Sequence, residues 1–202
     1  MPSRRLLACL AVALAIVTLL PAAALAENKA HSFEIGGALS WVRPDPDADL
    51  SNHFAPRMIL GYNFTRRHGV EVLYDSFNAT PDRGPSFPIN INVLRLGYTF
   101  NAYPKEKIVS FFRFGAGLWA VDPVDPPSTA GVPSTLREND TNYLFYSGGG
   151  FRYFLRDNLA LRFAATIDFV QTTPGIANNE VEATGEIGVT FLLGGKEESS
   201  SE

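Results

Sequence analysis

The chain has 202 residues, with 17 basic and 21 acidic side chains, a net charge of −4 at pH 7 and 46% hydrophobic residues. This acidic balance excludes nucleic acid as an expected partner, because surfaces that bind nucleic acid are basic. The length suits one domain, and the single cysteine, Cys9, excludes a disulfide within the chain.

Residues 1–26 have the composition of a secretory signal peptide. Arg4 and Arg5 precede an apolar run of fifteen residues, and a small-residue cleavage site, Ala24–Ala26, follows. The apolar run is shorter than the ~20 residues that a membrane-spanning helix needs. We expect this segment to be removed together with Cys9 and two of the 17 basic side chains, which leaves 15 against 21 acidic ones. Without cysteine, the exported chain depends on its own sheet and core for stability.

After residue 26, eight segments alternate between apolar and polar residues with the period of two that is typical of β-strands. Short connections follow the second, fourth and sixth segments, and longer ones follow the others. This sorting is typical of outer-membrane barrels, which have short turns at one rim and long loops at the other. The predicted strands are Phe33–Val42, Arg57–Thr65, Val70–Phe77, Ile89–Phe100, Ile108–Val121, Asn142–Leu155, Leu159–Val170 and Val181–Leu193.

One register of these strands is apolar and carries no charged residue. A soluble barrel would place this register inside, whereas a membrane barrel places it outside, against lipid. A charge on a lipid-facing surface costs about 2–4 kcal/mol at mid-membrane, which explains the absence of charge. The large members of this register include Phe33, Leu39, Trp41, Met58, Leu60, Tyr74, Leu94, Leu96, Phe112, Phe114, Phe145, Phe163, Ile167, Ile187 and Phe191.

The opposite register combines a few charges of both signs with small residues, mostly Gly, Ala, Ser and Thr. All four lysines lie outside the predicted strands, although a water-facing sheet would use lysine freely. Small residues and arginine–carboxylate pairs suit the crowded interior of an eight-stranded barrel, where buried charges must be paired. We predict a salt-bridged, largely closed lumen formed by Arg95, Arg113, Arg152, Arg162, Glu34, Glu71, Asp75, Asp168, Glu182 and Glu186.

Three motifs occur within the predicted strands. Gly-Tyr-Asn-Phe occupies Gly61–Phe64, Gly-Tyr-Thr-Phe occupies Gly97–Phe100, and Gly-Val-Thr-Phe-Leu-Leu occupies Gly188–Leu193. Together with the eight strands, these motifs resemble the small outer-membrane barrels of the outer-membrane protein A and X type. The resemblance implies an all-β, eight-stranded antiparallel up-and-down transmembrane β-barrel over residues 27–193, followed by a polar tail over residues 194–202.

The end of the last strand resembles the signal by which this family is recognised by the barrel-assembly machinery. Gly188, Phe191 and Leu193 carry the resemblance, with Leu193 in the place of the usual terminal aromatic residue. It implies contact with that machinery during biogenesis. The polar tail is too short to be the peptidoglycan-binding domain of larger members, so that function is not carried over.

The first long loop contains an acidic cluster. Asp45, Asp47 and Asp49 have the spacing that begins a calcium loop, but Leu50 and Pro56 stand where such a loop needs a glycine and a bidentate glutamate. We expect a solvated acidic loop and no bound metal.

Asp75 and Ser76, at the top of the third predicted strand, resemble the aspartate and serine of the lipid A palmitoyltransferase barrels. His53, which we place in the first long loop, is the candidate base, although that family has its histidine at the top of the first strand, where this chain has Trp41. In the predicted register Asp75 points inward and Ser76 outward. Because a nucleophile and its base must lie within hydrogen-bond reach, we expect no enzyme.

We therefore expect a monomeric, non-enzymatic barrel in the outer membrane of a Gram-negative-type cell. Its expected partners are outer-membrane lipid, lipopolysaccharide, the assembly machinery and an unidentified surface ligand, without a cofactor. Its four long outer loops would serve envelope structure or surface interaction, because loops carry variable functions on a fixed scaffold. Two alternatives stay open, namely a narrow channel or conduit for small apolar molecules and a lipid A-modifying acyltransferase.

Overall fold

The computed structural model describes residues 28–44, 50–81, 86–124, 139–171 and 180–196. These residues form a closed barrel in which each strand is antiparallel to its neighbours in the chain and the last strand pairs with the first. The strands are β1 (Ala30–Arg43), β2 (His53–Asn63), β3 (His68–Ala79), β4 (Ile89–Ala102), β5 (Ile108–Pro123), β6 (Asp140–Arg156), β7 (Leu159–Gln171) and β8 (Glu180–Lys196).

The predicted eight-stranded antiparallel up-and-down barrel is confirmed, and each predicted segment corresponds to one strand, although β2 ends at Asn63 and not at Thr65. Among the described residues there is no helix with the length and hydropathy needed to cross a bilayer. The predicted signal peptide, residues 1–26, lies outside the described residues, so its removal stays a prediction.

β2 begins earlier than predicted. Residues His53–Pro56 belong to this strand and pair with β1, from Val42 opposite His53 to Leu39 opposite Pro56. The pairing of β2 with β3 begins only at Arg57, so Pro56, which has no N–H to donate, lies where that ladder stops. The prediction that places His53 in a loop is wrong, because it takes the proline as the boundary of the strand.

β8 also extends beyond its predicted end at Leu193 and continues to Lys196, where it still pairs with the start of β1. Gly194 and Gly195 have φ angles of 73° and 100°, which glycine adopts at little cost. The expected polar tail therefore begins within the sheet, and residues 197–202 lie outside the described residues.

The outer face of the barrel is the apolar register. Phe33, Leu96 and Ile187 have 62%, 60% and 53% of their surface exposed, and the other large residues of this register are also exposed or half-buried. An outward apolar face is the arrangement of a barrel in lipid and the opposite of a soluble barrel.

The interior has an apolar layer at the long-loop end that the sequence pattern did not predict. The expectation of small residues throughout the lumen is wrong for this half, because several strands carry large apolar residues in both registers there. The buried side chains of this layer include Val42, Ile59, Leu73, Phe77, Ile89, Ile91, Val93, Trp119, Val121, Leu144 and Val170. A smaller apolar cluster at the short-turn end consists of Val109, Phe154, Ala160 and Leu192. The charged side chains lie between these two clusters.

Candidate functional site

All eight strands contribute to one network of buried charges across the lumen. Because successive side chains of a strand alternate between the two faces, each charged residue points inward from the register that it shares with the small residues. The network consists of the arginines Arg57, Arg95, Arg113, Arg152 and Arg162 and the carboxylates Glu34, Glu71, Asp75, Asp168 and Glu186, all buried. Its five positive charges therefore balance its five negative charges.

Two bidentate pairs form the part of the network nearest the long loops. Arg57 Nε and Nη2 donate to the two oxygens of Asp75 at 2.6 and 2.7 Å. Arg95 Nε and Nη2 donate to the two oxygens of Asp168 at 2.9 and 2.7 Å. Arg95 Nη1 also donates to Asp75 Oδ2 at 2.5 Å, which joins the pairs. Such paired, charge-assisted hydrogen bonds are both strong and directional.

Glu186 connects these pairs to the rest of the network. It accepts hydrogen bonds from Arg57, from Arg113 Nη2 at 2.9 Å and from Arg162 Nε at 3.0 Å. Arg162 also donates to Glu71 Oε2 at 2.7 Å and to Glu34 Oε1 at 3.2 Å. Arg162 therefore holds three carboxylates that would otherwise repel one another.

The end of the network nearest the short turns contains groups without charge. Arg152 Nη2 lies 2.9 Å from Glu34 Oε2, and its Nη1 donates to Asn101 Oδ1 at 2.6 Å. The ring of Phe111 lies below the guanidinium groups of Arg152 and Arg162, with 4.6 and 4.5 Å between each guanidinium carbon and the ring centroid. A buried aromatic face attracts such cations, so Phe111 stabilises Arg152 and Arg162 without replacing their ion pairs with carboxylates.

Arg57, Asn101 and Phe111 belong to this site but were not predicted in it. Arg57 is four residues from Gly61 and shares its inward register, so the alternation alone could have found it. Glu182, which was predicted in the network, is buried in the same register opposite Asp168 on β7, nearer the long-loop end. The arginine ion pairs described above involve the other five carboxylates.

Glycines provide the space for this packing. Gly97 on β4 lies directly opposite Gly115 on β5, and the side chain of Tyr146 lies across both. A Cβ at Gly97 would overlap the Tyr146 hydroxyl, and one at Gly115 would lie 2.8 Å from the Tyr146 ring. Small residues in the middle of the lumen thus accommodate a large neighbour.

Residues 12–192 match the profile of the outer membrane protein β-barrel domain. The chain belongs to this family. No curated protein sequence matches it. Membership places the protein in the outer membrane of a Gram-negative cell, as predicted, with its apolar outer face in lipid.

Solved structures with a similar fold include the outer membrane protein OprG from Pseudomonas aeruginosa, with a TM-score of 0.63 and 14% identity, covering 83% of this chain and 98% of that one. Neisserial surface protein A has a TM-score of 0.62 and 12% identity, covering 79% of this chain and 96% of that one. The N-terminal barrel domain of Pseudomonas aeruginosa OprF has a TM-score of 0.57 and 13% identity, covering 82% of this chain and 99% of that one. At these identities the likeness extends to the fold alone.

The structure does not assemble a catalytic site from His53, Asp75 and Ser76. Both oxygens of Asp75 accept hydrogen bonds from arginines inside the barrel, and Ser76 is exposed on the outer face. The ring of His53 stacks on Phe77 with 4.0 Å between centroids, and its Nδ1 lies 2.9 Å from the Ser51 carbonyl oxygen. Within the described part of the chain, no hydrogen bond joins any two of the three candidates.

Two other predicted sites have different outcomes in this outer-membrane barrel. Phe191 and Leu193, from the expected assembly signal, are 41% and 50% exposed on the outer face of β8. Gly188 faces inward, where a Cβ would lie 2.5 Å from the Gly37 carbonyl oxygen. The acidic cluster at residues 45–49 lies outside the described residues, so the prediction of a metal-free loop stays untested.

Proposed function

We propose that this outer-membrane barrel is a non-enzymatic protein with a largely closed lumen, which serves envelope structure or surface interaction through its long loops. The observation that carries the proposal is the continuous network of five arginines and five carboxylates across the lumen. Its ten side chains have no net charge among themselves and hold one another by short hydrogen bonds, which favours a closed lumen. Removing one partner of a buried ion pair costs about 3–5 kcal/mol.

The apolar layer supports the same proposal and weakens the alternative of a conduit for apolar molecules. Ile91, Trp119 and Leu144 belong to one buried cluster at the long-loop end. A molecule that entered the lumen from that end would have to displace these side chains and then cross the charged network. Neither step favours passage of an ion or of an apolar solute.

Recordings from planar lipid bilayers test the closed lumen. We expect the purified full-length protein to give no steady openings, whereas an open porin inserted by the same procedure conducts. A double variant, Glu34→Ala with Arg152→Ala, removes two opposite charges and the ion pairs that Glu34 makes with Arg152 and Arg162. Because the apolar layer at the long-loop end stays in place, we expect this variant to remain closed as well. Steady large openings of the unmodified protein would contradict the proposal.

The non-enzymatic part of the proposal is supported by the separation of His53, Asp75 and Ser76, since Ser76, the candidate nucleophile, is exposed on the outer face while Asp75 is paired with arginines inside the barrel. Mass spectrometry of lipid A from cells that express the protein provides the test. We expect the same acylation pattern from the unmodified protein, from a His53→Ala/Ser76→Ala variant and from cells without the protein. Added acyl chains that disappear in the variant would establish an enzyme.

A further inference from the structure

The short-turn rim contains a cleft that is separate from the lumen network. The cleft has a volume of about 540 Å³, and its walls are the turn between β2 and β3, Thr65–His68, and the turn between β4 and β5, Tyr103–Glu106. His68 belongs to the outward register of β3. Short turns of outer-membrane barrels lie on the periplasmic side, so the cleft is at the level of the headgroups of the inner leaflet.

Hydrogen bonds hold the two walls in place. Thr65 Oγ1 accepts from the Arg67 N–H at 3.1 Å, which closes the first turn. Asn28 joins the two turns, because its Nδ2 donates to the Arg66 carbonyl at 2.6 Å and its N–H donates to the Pro104 carbonyl at 2.9 Å. Asn28 is fully buried. The cleft is therefore already formed before a ligand enters.

The cleft is positively charged in an acidic protein. Arg66, Arg67 and Lys105 line it with only one carboxylate, that of Glu106, whereas the whole chain has a net charge of −4. Arg67 and Lys105 are exposed, and so is the ring of Tyr103 beside them, at 68%. Guanidinium and ammonium groups donate to phosphate oxygens, and tyrosine favours the membrane interface.

An apolar groove of about 470 Å³ begins near the cleft on the outer face of β1, β2 and β3. Val70 and Val72 line it and follow His68 along β3 at about 7 and 14 Å, given 3.4 Å per residue. The groove thus leads from the headgroup level into the hydrocarbon. Its other apolar walls include Phe33, Ile35, Leu60 and Tyr62.

We propose that the cleft and the groove together bind one anionic glycerophospholipid of the inner leaflet. Its phosphate accepts hydrogen bonds from Arg67 and Lys105, its glycerol backbone lies against Tyr103, and one acyl chain follows the groove. A zwitterionic lipid is disfavoured because its own ammonium group is repelled by the same cations. A free phosphate ion would fill the cleft and leave the groove unused.

Electron paramagnetic resonance with spin-labelled lipids tests this site on the full-length protein in phosphatidylcholine bilayers. We expect motionally restricted phosphatidylglycerol to exceed restricted phosphatidylcholine. Each cation near an anionic surface strengthens association by about fivefold. In the double variant Arg67→Gln/Lys105→Gln, the association of phosphatidylglycerol relative to phosphatidylcholine should therefore fall by up to about 25-fold.

A matched control removes the same charge elsewhere. Arg43 is exposed at the opposite rim. The Arg43→Gln variant should keep the preference of the unmodified protein, whereas each of the single variants Arg67→Gln and Lys105→Gln should lower it, and heat-modifiable migration on gels shows that each variant is folded. Equal association of both lipids, or an equal loss in the control, would overturn the proposal. Displacement of the labelled lipid by glycerol phosphate would instead establish a site for free anions.

Discussion

Each arginine in the lumen presents five N–H donors in a planar fork, which suits it to bridging several carboxylates in a confined space. Arg162 uses this capacity fully, since it donates to Glu34, Glu71 and Glu186. Lysine has a single ammonium group on a flexible stem and could not hold three carboxylates in one plane. This difference explains why the inward registers use arginine, while Lys105 and Lys107 lie in a turn.

The central position of Arg162 leads to a stability prediction. Replacing Arg162 with Glu removes three ion pairs and adds a fourth carboxylate, so we expect the free energy of unfolding to fall by at least about 3–5 kcal/mol, the cost of breaking a buried pair. Arg43→Glu reverses the same charge at an exposed position and should change stability by no more than about 0.5 kcal/mol. Urea titration of the refolded variants measures both. Equal effects would contradict the structural role of the network.

The members of the network were more predictable than their partners. Alternation alone places Arg95, Arg113 and Glu71 inside, because the period of a strand is fixed at two. The pairing depends on the tilt and stagger of the closed barrel, which bring Arg57 to Glu186, 129 positions away in the chain. No local pattern contains that information. Phe111 was missed for a similar reason, since it was not distinguishable from any other apolar residue near a strand end.

Among the strands, β2 and β3 have the least complete pairing. Their ladder stops at Arg57 opposite Asp75, although β3 continues along β4 to Ala79. Toward the long loops from this point, the ring of His53 on β2 stacks on the ring of Phe77 on β3. Backbone contact resumes in the connecting segments, where the Ser51 N–H donates to the Thr80 carbonyl at 3.3 Å. The barrel wall therefore has a local gap in its backbone hydrogen bonds near Pro56.

This gap predicts uneven hydrogen exchange. Amides in Ser76–Ala79 should exchange faster than those in Leu118–Val121, which pair on both sides at the same end of the barrel. The Pro56→Val variant restores an N–H in a residue that favours strands, so we expect added protection in Ser76–Ala79. Peptide-level mass spectrometry of the reconstituted protein measures both segments. Unchanged protection in the variant would mean that the proline does not end the ladder.

Strand number and strand order followed from the sequence because alternation and connection lengths are local features. The boundaries of β2 did not follow from the sequence. A proline inside a strand, at a position where the adjacent strand is not hydrogen-bonded, cannot be told from a proline that ends a strand. The apolar layer was also missed. In the long-loop half of β4, Ile89, Ile91 and Val93 occupy the inward register, and alternation cannot separate the faces of a strand where apolar residues occur on both.

The barrel reverses the usual arrangement of a soluble barrel, because its outer face is apolar and its buried charges lie inside. Between two apolar clusters, the charged network occupies the middle of the lumen. The network fixes the register of the strands, since a shift of one strand by a single residue would turn its charged side chains toward lipid. The apolar outer face and the charged, closed lumen are thus two results of the same alternation along the strands.

Site-directed nitroxide labels test this orientation directly. Phe163 on β7 and Ile187 on β8 are paired across the ladder and face outward, so labels there should be relaxed by oxygen, which concentrates in hydrocarbon, and shielded from a water-soluble nickel chelate. A label at Asn158, in the exposed turn between β6 and β7, should show the opposite preference because it lies at the aqueous rim. If the chelate reached positions 163 and 187 as readily as position 158, this face would be in water. The assignment of the apolar register to lipid would then be wrong.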